Sequence, residues 1–183
     1  MGIREDIASL TKISGEDGTI AIGSVTVAYH CDKFNTRIIK GFEDTLGFEK
    51  ARQLVHDTAE STAYDSLASF IASKTQDMSP KDALGVAFDL FKVLGYGCYQ
   101  LLEDNGKGGK VKGSPVYTAE GWLENETKWN WEARKEPVCH VESGLIAAVW
   151  EIVNNLPKGS VRVNETACRA QGNPECMFEV EVK

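Results

Sequence analysis

The sequence predicts an α+β fold, in which an antiparallel sheet has helices packed on one side. Apolar residues recur at helical spacing in three stretches between residues 33 and 94, and again after Pro137. Strand-like stretches lie near the N-terminus, after residue 97 and at the C-terminus. The resulting order is strands, helices, a hairpin, a helix and a second hairpin. This grouping of like elements is typical of the α+β class.

The first part of the chain, about residues 1–32, is expected to form an N-terminal extension. Ile3, Ile7 and Leu10 lie at helical spacing, which predicts a short amphipathic helix over Ile3–Leu10. Two strand-like runs follow, Thr19–Ile22 and Ser24–Cys31. The second run alternates in the manner of a half-buried strand, with one face formed by Val25, Val27, Tyr29 and Cys31.

Three helices are predicted next. Lys33–Leu46 places Phe34, Ile38 and Phe42 four residues apart, and Gly47 supplies a stop. A longer apolar stripe runs from Phe48 to about Lys74. The third helix is expected to begin at Ser79-Pro80, a favourable cap followed by proline in the first turn, and to end at Gly95-Tyr96-Gly97.

The remaining segments are predicted to form two hairpins around one helix. Strands Cys98–Glu103 and Lys110–Thr118 flank a turn that contains Asn105-Gly106, a specific hairpin signal. Residues 119–135 show no clean period. A helix is expected over Pro137–Asn154, and a second hairpin is formed by Ser160–Ala170 and Cys176–Val182.

Length and charge limit the classes of function. The 183 residues suit a single domain spanning 1–183, and the net charge of −7 disfavours binding to phosphate backbones. No apolar run approaches the roughly 18 residues that a membrane span needs. The charged N-terminus lacks a signal-peptide core, so a cytoplasmic location is expected. Five cysteines in a reducing compartment favour metal binding or buried thiols over disulfides.

Three of those cysteines lie close to a glutamate in the last 45 residues. Cys168 and Cys176 stand on two strands across a tight turn, and Cys139 comes from the start of a helix. Glu165 and Cys168 would face opposite ways on an ideal strand, so a bulge near Thr166-Ala167 is required to aim both at one ion. Three thiolates and a carboxylate suit tetrahedral zinc. On spacing alone, buried free cysteines that pack as small apolar residues remain the alternative.

The stretch from Asn130 to Val182 resembles the 4-vinyl-reductase domain family. The motif E-x-x-C-x-A-x-G-x-x-x-C, which runs from Glu165 to Cys176, carries the resemblance most specifically. Asn130-Trp131-Glu132-Ala133 and Pro137-Val138-Cys139 also match the family. The helical region that precedes this stretch, from about residue 33, agrees with the family only in outline. The chain departs from the family by having alanine where a second glycine commonly follows the Cys139 position, and by a short segment between Ala133 and Cys139.

The resemblance implies a fold, a metal and a ligand. The fold would be the one shared with subunits of a vesicle-tethering complex (TRAPP), and a zinc-binding C-terminal part would span about 130–183. Zinc would be held by Cys139, Glu165, Cys168 and Cys176, as in the aromatic-sensing relatives. The resemblance also implies a buried pocket for a small apolar molecule and dimerisation through helices.

Aromatic residues with polar tips cluster in the middle of the chain, and such residues commonly line pockets. Trp129, Trp131 and Trp122 are the candidate ligand contacts, with His56 as a polar partner. The alternative is that the tryptophans are ordinary core residues and that His56 is a helix-surface or core histidine. No phosphate loop, dinucleotide fingerprint or nucleophile elbow is present in the sequence.

The sequence therefore favours a zinc-containing domain that binds, carries or senses a small hydrophobic ligand, either aromatic or tetrapyrrole-like. Two alternatives remain, an enzyme or enzyme subunit that reduces tetrapyrrole vinyl groups, and a dimeric assembly scaffold. A homodimer is expected through the helix Phe48–Lys74, because its small residues would allow close approach. These are Ala59, Ser61, Ala63, Ser66 and Ala68.

Overall fold

The computed structural model describes residues 2–183. It contains six α-helices among them: α1 (Ile3–Leu10), α2 (Asp32–Leu46), α3 (Phe48–Thr75), α4 (Pro80–Leu94), α5 (Tyr117–Trp129) and α6 (His140–Val153). The strands are β1 (Thr11–Ser14), β2 (Thr19–Ile22), β3 (Val25–Val27), β4 (Gly97–Asp104), β5 (Gly108–Val116), β6 (Val161–Ala167) and β7 (Cys176–Val182). None of the described helices is long and apolar enough to cross a bilayer.

The main sheet has four antiparallel strands in the order β4-β5-β7-β6. Its inner face supplies Val111, Val163, Phe178 and Val180 to the core, and α4 and α6 pack against it. The predicted α+β class is therefore confirmed. The two predicted hairpins, β4-β5 and β6-β7, both form, and one face of each of β5, β6 and β7 is buried.

A separate three-stranded antiparallel sheet, β1-β2-β3, follows α1. The predicted strand Ser24–Cys31 is wrong beyond Val27, because β3 pairs only with β2 and that pairing ends at Ile20. Tyr29, which was expected on a half-buried face, is 75% exposed. The short strand β1 was not predicted, since Thr11–Ser14 carries only one large apolar residue, Ile13.

Helices α3 and α6 form the most extensive helix–helix contact of the described chain. Gly144 of α6 permits it, because a Cβ there would meet the backbone oxygen of His56 and lie 2.8 Å from the backbone nitrogen of Glu60. Ala59 and Ala63 of α3 are occupied by packing within the chain: Ala59 lies against Gly144, and Ala63 is buried in the core. These two small residues are therefore not free for a second subunit.

Two helices differ from the pattern that the sequence suggested. Helix α5 occupies residues without a clean apolar period, and it packs against α2. Helix α2 buries Thr36 and Ile39, while its apolar row remains half-exposed. That row consists of Phe34, Ile38, Phe42 and Leu46, with 38–48% of each residue exposed.

Candidate metal and ligand site

Four potential metal ligands converge from three elements. Cys139 is the residue before the first turn of α6, Glu165 lies on β6, and Cys176 begins β7. Cys168 follows β6 directly and precedes a short 3₁₀ turn over Arg169–Gln171. The ladder between β6 and β7 shifts register between Glu165 and Ala167, which confirms the bulge that the sequence required.

The ligand atoms have the spacing of a tetrahedral site. All four lie within 4.8 Å of one another. The Cys139 sulfur is 3.9 Å from that of Cys168 and 3.7 Å from that of Cys176. Tetrahedral zinc with bonds of about 2.3 Å to sulfur has sulfur–sulfur edges of about 3.8 Å. The three cysteine side chains therefore fit a zinc ion of this coordination.

The fourth ligand is oriented by the backbone. Glu165 Oε2 accepts a hydrogen bond from the backbone N–H of Cys139 at 2.9 Å. Its other oxygen, Oε1, is buried and has no hydrogen-bond partner among residues 2–183. A buried carboxylate oxygen without a donor is unfavourable unless a cation or another donor reaches it. This oxygen is thus available to a metal ion.

The pKa values of the four candidate ligands are shifted by burial and by their mutual contacts. Burial raises the pKa of the Cys139 thiol well above its ordinary value, and it raises the pKa of Glu165 to about 9. Hydrogen bonds from Cys139 and Cys176 lower the pKa of Cys168, because they stabilise its thiolate. Ionisation of all four groups would bury several negative charges together, and a divalent cation bound among them would compensate these charges.

Further contacts hold the loop that carries Cys168. The backbone N–H of Arg169 donates to the Cys176 sulfur at 3.4 Å, and the Asn173 side chain donates to the Cys168 carbonyl at 3.1 Å. Gly172 closes the 3₁₀ turn with φ of 86°, a conformation that favours glycine. The glycine of the motif therefore shapes the chain between two of the candidate ligands.

The three candidate tryptophans lie next to one another. Trp122 is buried in the core, and its ring centroid is 4.9 Å from that of Trp131, which is itself 4.9 Å from Trp129. The guanidinium of Arg134 lies 4.4 Å from the Trp122 ring centroid, and that of Arg37 lies 3.9 Å from Trp129. The three rings, which are tilted relative to one another, therefore form a continuous row from the core towards the exterior, with an arginine at each end.

Some buried polar atoms of α5 and α6 have no hydrogen-bond partner within the described chain, and the sequence did not reveal them. They include Trp122 Nε1 and Asn125 Oδ1 on α5 and Glu142 Oε2 on α6. The other oxygen of Glu142 accepts from the backbone N–H and the hydroxyl of Thr118, at 3.0 and 2.7 Å. Burial raises the pKa of Glu142 to about 7. Its charge also contributes, after burial, to the raised pKa values of Tyr96 and Tyr99, so the carboxyl lies near both phenols.

The fourth candidate ligand contact, His56, is separate from the tryptophans. It lines a cleft of about 220 Å³ together with Glu165 and His140, and a larger cleft of about 800 Å³. The described residues that line these two clefts include no tryptophan. His140 Nε2 lies 3.2 Å from Glu43 Oε1.

Residues 122–182 match the model of the V4R domain. The matched segment is the last third of the chain, contains all four candidate metal ligands, and confirms the resemblance found in the sequence. An uncharacterized protein of Methanocaldococcus jannaschii is 42% identical over 48 residues, which make up 26% of this chain and 25% of the relative. The chain thus matches about a quarter of that relative's length.

Two solved structures share the fold over most of the chain. The phenol-responsive sensory domain of the transcription activator PoxR, solved with phenol, has a TM-score of 0.80 and 16% identity, covering 98% of this chain and 88% of its own. A trafficking protein particle complex subunit 3 from Naegleria fowleri, covalently bound to palmitic acid, has a TM-score of 0.53 and 10% identity. It covers 83% of this chain and 95% of its own. The predicted likeness to the vesicle-tethering fold is confirmed.

Proposed function

We propose that this protein is a zinc-containing domain that binds a small, mostly apolar ligand. The observation that carries the zinc part is the convergence of Cys139, Glu165, Cys168 and Cys176 within 4.8 Å. A site closed by four protein ligands is typical of structural zinc, which contributes folding free energy directly. In this chain the ion would join β6, β7 and the start of α6.

Elemental analysis of protein purified without chelators tests the zinc site. About one zinc per chain is expected. Cys168→Ser should abolish zinc binding and severely lower the melting temperature, because the ion links three elements. Cys31→Ser is the matched control, since Cys31 is exposed and lies outside the cluster, and it should change neither quantity. Less than about a tenth of an equivalent in the unmodified protein would contradict the zinc assignment.

The observation that carries ligand binding is the pair of unpaired polar atoms, Trp122 Nε1 and Glu142 Oε2. A buried polar group without a partner costs roughly 1–3 kcal/mol, and a ligand that hydrogen-bonds to these atoms would remove that cost. Tyr99 lies near Glu142, whose charge contributes, after burial, to its raised pKa, and the Tyr99 ring is 5.9 Å from those of Phe88 and Phe91. Apolar walls with a few polar anchors are typical of small-molecule sites.

These surroundings favour an aromatic ligand that carries a hydroxyl group. Such a group can donate to Glu142 Oε2 or accept from Trp122 Nε1, while the ring packs among aromatic side chains. The fold shared with a phenol-responsive sensory domain supports this choice. Trp129 and Trp131 continue the row of tryptophans outward and are proposed as secondary contacts, whereas His56 would contact the ligand only if the ligand reaches the clefts.

Tryptophan fluorescence titrated with a panel of phenols, porphyrins and fatty acids tests this proposal. A saturable change with phenols is expected, and Glu142→Gln should weaken it at least about tenfold by removing the acceptor at Oε2. Glu124→Gln is the matched control, because Glu124 is exposed on α5. If Trp129 is a contact, Trp129→Ala should weaken binding with little loss of stability, whereas loss of a core tryptophan costs ~3–5 kcal/mol.

Two results would contradict the ligand proposal. One is the absence of a response to any compound in the panel. The other is binding that is unchanged in Glu142→Gln and in Trp129→Ala. A response to porphyrins or fatty acids alone would retain small-molecule binding but overturn the choice of a phenol-like ligand.

A further inference from the structure

A second group of potential metal ligands lies on α3, away from the cysteine cluster. His56, Asp57 and Glu60 place one ligand atom each within 4.8 Å of one another. His56 and Glu60 are four residues apart, so their side chains share one face of the helix, and His56 Nε2 is 3.3 Å from Glu60 Oε2. An imidazole with two carboxylates is a donor set for divalent first-row metals.

A buried carboxyl group, that of Glu151, lies behind this group. Glu151 of α6 is fully buried, and its Oε2 has no hydrogen-bond donor within residues 2–183. Its carboxyl group is within hydrogen-bonding reach of that of Glu60. Two carboxylates this close need a cation or a shared proton between them.

The other oxygens of the two glutamates are already used. Glu60 Oε1 accepts from the backbone N–H of Gly159 at 2.9 Å, and Glu151 Oε1 accepts from that of Val161 at 3.1 Å. These bonds fix both carboxyl groups and leave Glu60 Oε2 beside the imidazole and Glu151 Oε2 unpaired. Preoriented ligands of this kind reduce the cost of binding an ion.

The group is accessible from solvent. His56, Asp57 and Glu60 all lie on the wall of the cleft of about 800 Å³. Asp57 is exposed, and its carboxylate is held by the Gln53 side chain at 2.6 Å. An ion could therefore reach the site without unfolding of the chain.

We propose that His56, Asp57 and Glu60 form a second divalent-metal site, supported from behind by the carboxyl group of Glu151. The site differs from the cysteine cluster in its chemistry, because its donors are nitrogen and oxygen while those of the cluster are mainly sulfur. Carboxylate and imidazole donors bind Mn²⁺, for which thiolates are a poor match. The proposal is independent of the zinc site and of the proposed ligand.

Titration of the purified protein with Mn²⁺, followed by the electron paramagnetic resonance signal of the free ion, tests the site. One Mn²⁺ per chain is expected, and His56→Ala and Asp57→Asn should each weaken binding at least about tenfold. Asp65→Asn is the matched control, because Asp65 is an exposed acid on the same helix that pairs with Lys158 instead. It should bind Mn²⁺ as the unmodified protein does.

Glu151→Gln distinguishes a metal from a shared proton. The glutamine keeps the oxygen that accepts from Val161 and offers an N–H to Glu60, so it reproduces the protonated carboxyl group. In a metal site it should weaken Mn²⁺ binding about 10- to 100-fold. Absence of Mn²⁺ binding at millimolar concentration, or binding unchanged in both His56→Ala and Asp57→Asn, would overturn the proposal and leave Glu60 and Glu151 as a proton-sharing pair.

Discussion

At the scale of single residues, the sequence identified the candidate metal ligands but not the polar atoms around the tryptophans. The motif from Glu165 to Cys176 fixes residue types and spacing, and the odd separation of Glu165 and Cys168 already required a bulge. The environment of Glu142 could not be predicted, because its partner Thr118 lies 24 residues away in α5. Such pairs depend on tertiary packing, which leaves no local pattern.

Glu165→Gln tests whether the carboxylate is a metal ligand. Glutamine keeps an oxygen that can accept from the Cys139 N–H, so the local backbone should remain in place. Loss of the negative charge should weaken zinc binding at least about tenfold, measured by competition with a chromophoric chelator. Glu175→Gln is the control, since Glu175 pairs with Lys112 near the same turn. Equal zinc affinities in the two variants would show that Glu165 is not a ligand.

At the scale of secondary-structure elements, the helices with a strong apolar period were predicted from the sequence, whereas α5, which lacks such a period, was not. Helix α5 was not predicted because, apart from Trp122, the residues that it buries are small or polar. Gly121 packs close to Thr36 and Asp32 of α2, and Asn125 donates to the Asp32 carboxylate at 3.1 Å. The apolar row of α2 was found, but the sequence did not show that the neighbouring face, with Thr36 and Ile39, is the buried one.

The contact between α3 and α6 predicts that Gly144→Ala is strongly destabilising. The added methyl group would overlap the backbone of α3, which side-chain rotation cannot relieve. A loss of about 1–3 kcal/mol or more is expected from urea denaturation. Gly85→Ala in α4 is the opposite case, because a Cβ there would meet open space. The free energy of unfolding of this variant should rise by about 0.5–1 kcal/mol. Similar stabilities of the two variants would contradict this packing.

The link between α2 and the segment before α6 predicts a pH dependence. Burial acts to raise the pKa of Glu43, but hydrogen bonds from His140 and Arg134 and their charges outweigh it and lower the pKa below its ordinary value of 4.5. A lowered folded-state pKa stabilises the protein above the ordinary value, and this contribution is lost as the pH falls through the folded-state pKa.

Glu43→Gln should therefore lower stability at neutral pH by about 1–3 kcal/mol, since Arg134 keeps only its bonds to the carbonyls of Glu136 and Pro137. As the pH falls below about 4.5, the variant should also lose less stability than the unmodified protein. Urea denaturation across this range measures both effects. Asp44→Asn, which alters an exposed ion pair with Lys40, should leave the pH profile nearly unchanged.

At the scale of the whole molecule, the order of helix and strand patterns in the sequence predicted the fold class. It did not predict which surfaces are free to contact a second subunit. The sequence favoured small residues of α3 as the contact between two subunits. In the structure Ala59 and Ala63 pack within the chain, against α6 and in the core. The apolar row of α2 is the better candidate surface, because its four large side chains lie along one exposed face at spacings of four residues.

We therefore expect a homodimer that is symmetric about the apolar row of α2. Sedimentation equilibrium should give twice the chain mass of 20.1 kDa at micromolar concentration. Ile38→Glu should dissociate the dimer, since a two-fold axis places the new charge in the interface twice. Ile13→Glu is the matched control, because Ile13 is 71% exposed on the small sheet and lies outside the row. A monomer in the unmodified protein would contradict the dimer, and a dimer that survives Ile38→Glu would place its interface on another surface.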